Sequence, residues 1–124
     1  MLAGYVLDEH LRGPLWQAIQ SHNARGIDPI DATRVGDPPD LPLGSQDVDI
    51  LIWAEREGRI LVSRDEATMK THLTNHLAAG KQSPGVFLVR RRSTYLEVVE
   101  FLALATSASD PDEWNDRWTY IPLP

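Results

Sequence analysis

The chain has 124 residues, 42% hydrophobic and 24% charged, a size and balance that fit one folded domain and exclude two independent enzyme domains, a disordered chain or a fibrous repeat. Twelve Lys and Arg against eighteen Asp and Glu leave a formal net charge of −6, which excludes the broad positive field of a nucleic-acid coat protein and confines any phosphate contact to a local patch. Cysteine is absent, so disulfides, thiolate nucleophiles, Cys-ligated zinc and iron–sulfur clusters fall away together. No basic leader precedes an apolar core and no apolar run reaches about 18 residues, so the expected location is the cytoplasm, with no membrane partner.

The opening run Tyr5-Val6-Leu7 is short and apolar and is followed at once by Asp8-Glu9, the pattern of a buried strand that ends in charge. Leu11, Leu15, Ala18 and Ile19 repeat at helical spacing, with Pro14 suited to a first turn and Arg25-Gly26 to a stop. Ile27 to Val35 alternates weakly and reads as a second strand interrupted by Pro29, after which the proline-rich stretch Gly36 to Gly44 must be a loop. Ser45 is positioned to cap a second helix that carries Asp47 and Asp49 in its first turn and closes at Gly58. Arg59 to Ser63 is the clearest strand. Asp65 and Glu66 then open a third helix, with Met69, Leu73 and Leu77 along one face up to Gly80. Gly85 to Val89 is a fourth strand, ended by Arg90-Arg91-Arg92. Thr94 and Glu97 form a capping-box pattern for a fourth helix with Leu96, Val99, Leu102 and Ala103 as its stripe. The tail 108–124 is expected to pack on the same single domain (1–124), with Trp118 to Leu123 as a short edge strand and Trp114 and Trp118 pinning it; Trp16 and Trp53 read as core or interface residues.

Strands that are continuously apolar and alternate with helices predict an α/β fold: a three-layer α/β/α sandwich around a short, mostly parallel sheet. Ligands of open parallel sheets bind beyond the carboxyl ends of the strands. That rule collects Asp8 and Glu9, then Asp65 and Glu66, then Arg90. Helical spacing adds Asp47, which stands at i, i+3, i+4 and i+7 with Ile50, Leu51 and Ala54 and therefore looks inward, whereas Asp49 shares a face with Ile52, Trp53 and Arg56. Three inward carboxylates repel one another unless protons or a cation intervene, and a hard divalent ion such as Mg²⁺ or Mn²⁺ is the simpler solution. Asp8, Asp47 and Asp65 are thus the candidate catalytic and metal-ligating residues, with Glu9 or Glu66 as a further ligand.

The segments Val6-Leu-Asp-Glu9, Asp47-Val-Asp-Ile-Leu51 with Ala54, Glu57-Gly-Arg-Ile-Leu-Val-Ser-Arg-Asp65 and Gly85-Val-Phe-Leu-Val-Arg90 resemble the small PIN-like proteins related to the ribonuclease toxins of toxin–antitoxin pairs, over about Tyr5 to Leu102. The resemblance implies a PIN-type sandwich, Mg²⁺- or Mn²⁺-dependent hydrolysis of RNA, a small antitoxin protein as partner and a homodimer. It puts the family's acids on Asp8, Asp47 and Asp65 and a hydroxyl residue on Ser63. Relatives of this type often carry a second Asp two positions after the strand-end acid; here that position is Ala67, which leaves the fourth acid unassigned and raises the alternative of a catalytically silent PIN-like interaction module.

Arg90 and Ser63 are the candidate substrate-binding residues, Arg90 because a guanidinium at a strand end can hold phosphate in bidentate fashion. His72 and His76 have the i, i+4 spacing of a helical zinc pair but lack a third ligand of obvious spacing, and read as a helix or subunit boundary. His10, two residues after Asp8, reads as a surface or capping residue. A receiver-like or phosphatase site built on Asp8, Glu9 and Asp65 would call for a Lys after a later strand, where this chain has Arg90.

Overall fold

A computed structural model describes residues 2–124. Five strands form one sheet: β1 (Gly4–Leu7), β2 (Asp31–Arg34), β3 (Arg59–Ser63), β4 (Val86–Val89) and β5 (Trp118–Ile121). Their order across the sheet is β2-β1-β3-β4-β5, and every neighbouring pair is parallel. The four helices are α1 (Pro14–Asn23), α2 (Asp47–Glu57), α3 (Glu66–Ala78) and α4 (Tyr95–Ala108). The tail is therefore part of the sheet, since it supplies β5. No described helix is long and apolar enough to cross a membrane.

The strand pleat sends alternate side chains into two cores. On one face Tyr5, Leu7, Ile60, Val62, Phe87 and Val89 pack against Leu15 and Ile19 of α1 and Val98, Val99, Phe101, Leu102 and Ala105 of α4. On the other, Val6, Leu61, Val86 and Leu88 meet Ile50, Leu51 and Ala54 of α2 and Met69 and Leu73 of α3. The result is the expected three-layer α/β arrangement. Burying each such Leu, Ile or Phe is worth roughly 1.5–3 kcal/mol before entropy is charged against it. Phe87 is also the hub of an aromatic cluster: its ring centroid lies 5.1 Å from that of Trp114, 5.5 Å from Phe101 and 6.0 Å from Tyr5. Trp114 thus pins the tail onto β4, as expected, while Trp118, 38% exposed, joins it through the pairing of β5 with β4.

Several local expectations are corrected. Leu11 belongs to a separate 3-10 turn, Glu9–Leu11, and α1 begins only at Pro14, because Gly13 takes a non-helical conformation at the N-cap. Helix α1 ends at Asn23, two residues before Arg25. The Asn23 side chain both donates to the Ile30 carbonyl and accepts from the Ile30 N–H, each at 2.8 Å, and so leads the chain into β2. Ser45 does not cap α2: its hydroxyl donates back to Pro42 O at 2.6 Å, and the N-cap is Gln46 without a side-chain bond. On α4 the capping box of Thr94 and Glu97 forms as read, and Val99 and Leu102 are buried as expected, but Leu96 is 61% exposed and the buried face extends to Val98, Phe101 and Ala105.

Candidate functional site

From β1 the chain crosses through α1 to one side of the sheet, and from β3 through α3 to the other, so the carboxyl ends of β1 and β3 flank the point where the winding reverses. Two of the expected acids stand there. The β1–β3 ladder extends one residue past β1 through the Asp8 N–H, which donates to Val62 O at 2.9 Å. This fixes the Asp8 carboxylate, only 5% exposed, beside the end of β3. Its Oδ1 accepts from the Glu9 N–H at 2.7 Å and its Oδ2 from the hydroxyl of Ser63, the last residue of β3, at 2.8 Å. The Ser63 oxygen in turn accepts from the Asp65 N–H at 3.1 Å. One buried hydroxyl therefore links the backbone of the second acid to the side chain of the first. Asp65 caps α3 by accepting from the Thr68 N–H at 3.3 Å, so its structural role and its place beside Asp8 coexist.

Asp47, the first residue of α2, joins the same group. Its carboxyl is held above the usual carboxylate range, first by burial and then by the negative charge of Asp8, with Asp65 adding to the effect and His72 and His10 opposing it. His72 Nε2 lies 3.5 Å from Asp47 Oδ2. The sequence reading placed His72 only at a boundary; the signal that would have found it is the pairing of α2 with α3, which periodicity within one helix does not contain.

The remaining candidates are held elsewhere. Glu9 Oε1 accepts from the Gly44 N–H at 2.7 Å and so anchors the proline-rich loop. Glu66 is exposed in the first turn of α3. The Ser63 hydroxyl is fully buried and bonded within the protein. It acts on Asp8 and Asp65 and offers nothing to a substrate. Arg90 is exposed; its Nε donates to Pro122 O at 2.8 Å and its guanidinium carbon lies 5.6 Å from the centre of the Tyr120 ring. His76 does not share a ligand with His72. Its Nε2 sits 2.8 Å from Glu55 Oε1 and 2.7 Å from Gln82 O, which makes it a buried tie between α3 and α2.

Among the described residues, no group of three or more His, Asp or Glu side chains is arranged to hold a metal ion as it stands. The donor chemistry nevertheless fits a hard divalent cation: oxygen donors only from the three aspartates, one of them buried, and one whose carboxyl is raised first by its own burial and then by the charges of the other two. A cation arriving there would offset the charges of Asp8 and Asp65 that, after burial, hold the Asp47 carboxyl up. No family model, curated protein or solved structure matches the chain.

Proposed function

We propose that this protein is a metal-dependent ribonuclease of PIN-like type, the toxin of a toxin–antitoxin pair acting in the cytoplasm, with Asp8, Asp47 and Asp65 as its metal-holding acids. One observation carries the reading: the Ser63 hydroxyl ties the Asp8 carboxylate to the Asp65 backbone beside the reversal point of a parallel sheet, and Asp47, at the start of α2, feels the charge of both acids. Mg²⁺ or Mn²⁺ bound to them would supply an activated water and charge neutralisation at a phosphodiester. The chain's own contribution is orientation. Ser63 holds the Asp8 carboxylate in one rotamer, and the N-cap bond to Thr68 holds Asp65.

The test is cleavage of a single-stranded RNA by purified protein in Mg²⁺ or Mn²⁺. Asp8→Asn and Asp65→Asn should abolish cutting in protein that circular dichroism shows to be folded, and Mn²⁺ should raise the Tm of the parent alone. Equal cleavage by parent and variants removes the proposal. A folded parent that neither cuts RNA nor gains stability with Mn²⁺ would instead favour the silent interaction module that Ala67 suggests.

A further inference from the structure

The cations of this acidic chain divide into two populations. Arg12, Arg34, Arg56 and Arg59 each lie against at least one carboxylate. Among the described residues the other eight have no carboxylate oxygen within 4.0 Å: Arg25 after α1, Lys81 after α3 and Arg117 before β5, and a group of five, Arg64, Lys70, Arg90, Arg91 and Arg92. All five follow the carboxyl ends of β3 and β4 or lie in the first turns of α3. Two of them rest on aromatic rings of the edge strand. Lys70 Nζ lies 4.7 Å from the centre of the Tyr120 ring and 5.6 Å from that of Trp118, and Arg90 lies 5.6 Å from Tyr120.

A cation held by a π-face keeps its charge and its N–H donors, whereas one held by a carboxylate is neutralised. Lys70 and Arg90 are therefore positioned without being neutralised: Arg90 gives its Nε to Pro122 O, and neither cation meets a carboxylate oxygen within 4.0 Å. Trp118, the most exposed of these rings at 38%, is two residues from Tyr120 on the same face of β5. Strand β5 is two strands from β3, with β4 between them; Tyr120 pairs with Leu88 and Leu88 with Ser63, so the Tyr120 end of the shelf is level with the end of β3 that precedes Asp65, and Trp118 stands two residues back.

We infer that the α3–β5 shelf binds a single strand of RNA leaving the acidic site, with a base stacked on Trp118 and phosphates on Lys70 and Arg90. The inference takes its occupant from the ribonuclease reading above. Charge supports it: these five of the eight unpaired cations supply the local positive charge that a molecule of net charge −6 needs if it is to hold a polyanion. Shape supports it as well, because an exposed ring beside a free cation matches the alternation of base and phosphate in an unpaired strand, while a duplex hides its base faces.

The experiment is fluorescence anisotropy with a labelled single-stranded RNA in EDTA, so that no cleavage occurs and metal binding is not required. Trp118→Ala should weaken binding roughly tenfold, and Trp118→Phe should restore most of it. Lys70→Gln should flatten the dependence of log K on log salt by about 0.7. Arg25→Gln, an exposed charge change beyond α1, is the control and should bind as the parent does. Melting temperatures verify that each variant is folded. Parent-like affinity in Trp118→Ala and Lys70→Gln, equal weakening in Arg25→Gln, no binding by the parent, or equal affinity for the duplex would each overturn the inference. The two proposals fail separately: metal-dependent cutting that Trp118→Ala leaves intact, with unchanged affinity, removes the shelf and keeps the nuclease, whereas shelf-dependent binding without cutting in any metal does the reverse.

Discussion

Ser63→Ala is the sharpest probe of the site, because a single buried hydroxyl connects two of its acids. The substitution removes only an oxygen from a fully buried position at the end of β3. It leaves Asp8 Oδ2 without its 2.8 Å donor and the Asp65 N–H without its 3.1 Å acceptor. A hydrogen bond to a buried charged group contributes about 1.5–3 kcal/mol, and the stranded carboxylate oxygen cannot recover it from solvent where Asp8 is 5% exposed. In a domain of this length that corresponds to a fall in Tm of roughly 6–12 °C. The assay is thermal unfolding at neutral pH by circular dichroism, run on Ser63→Ala, Asp8→Asn and the double variant. The cost of losing the hydroxyl should shrink by at least about 1 kcal/mol when Asp8 is already Asn, since the charged acceptor is gone. Ser63→Ala should also lower the Mn²⁺-induced rise in Tm, because Asp8 then loses the bond that fixes its rotamer. A Tm within about 2 °C of the parent, or a purely additive cycle, would show that the hydroxyl does not hold the acid, and the geometric basis of the site would fail.

Other expectations follow from the same coordinates. The Asp47 carboxyl is raised, so the folded state binds its proton more readily than the unfolded chain does; stability is therefore lost as pH rises through the carboxylate range, and Asp47→Asn should raise Tm at pH 7 by more than at pH 3.5. Tyr5 is buried, and burial pushes its phenol above the usual value of 10.0; the stability of the neutral phenol is lost as pH climbs beyond that value, so Tyr5→Phe should unfold at a higher alkaline pH than the parent while losing about 1 kcal/mol at neutral pH from its bonds near Leu102 and Thr106. Gly85 has φ +123 and a Cβ built there would stand 2.5 Å from the Trp114 carbonyl oxygen, so Gly85→Ala should destabilise by about 1–3 kcal/mol and loosen the tail first, visible as early tryptophan fluorescence change in urea.

The order of elements, the apolar strands and the inward stripes of α2 and α3 were legible in the sequence because each is a local pattern with a period of its own. Asp8 and Asp65 could be singled out from position alone, since parallel strands put their carboxyl ends on one rim whatever their order, and Asp47 from its place on the inward stripe of α2. Tertiary structure decided what those groups touch. The link from Asp65 through Ser63 to Asp8 needs β1 and β3 to be neighbours, a fact of strand order that spacing along the chain does not encode. The contact of His72 with Asp47 needs α2 beside α3, and the turning of Glu9 toward Gly44 needs the proline-rich loop folded back over the rim. Likewise the ring shelf around Lys70 exists only because the tail pairs with β4 as a fifth parallel strand. Periodicity reports which side of an element faces the core; which neighbour waits there depends on packing between segments far apart in the chain, where side-chain reach and burial settle each partner.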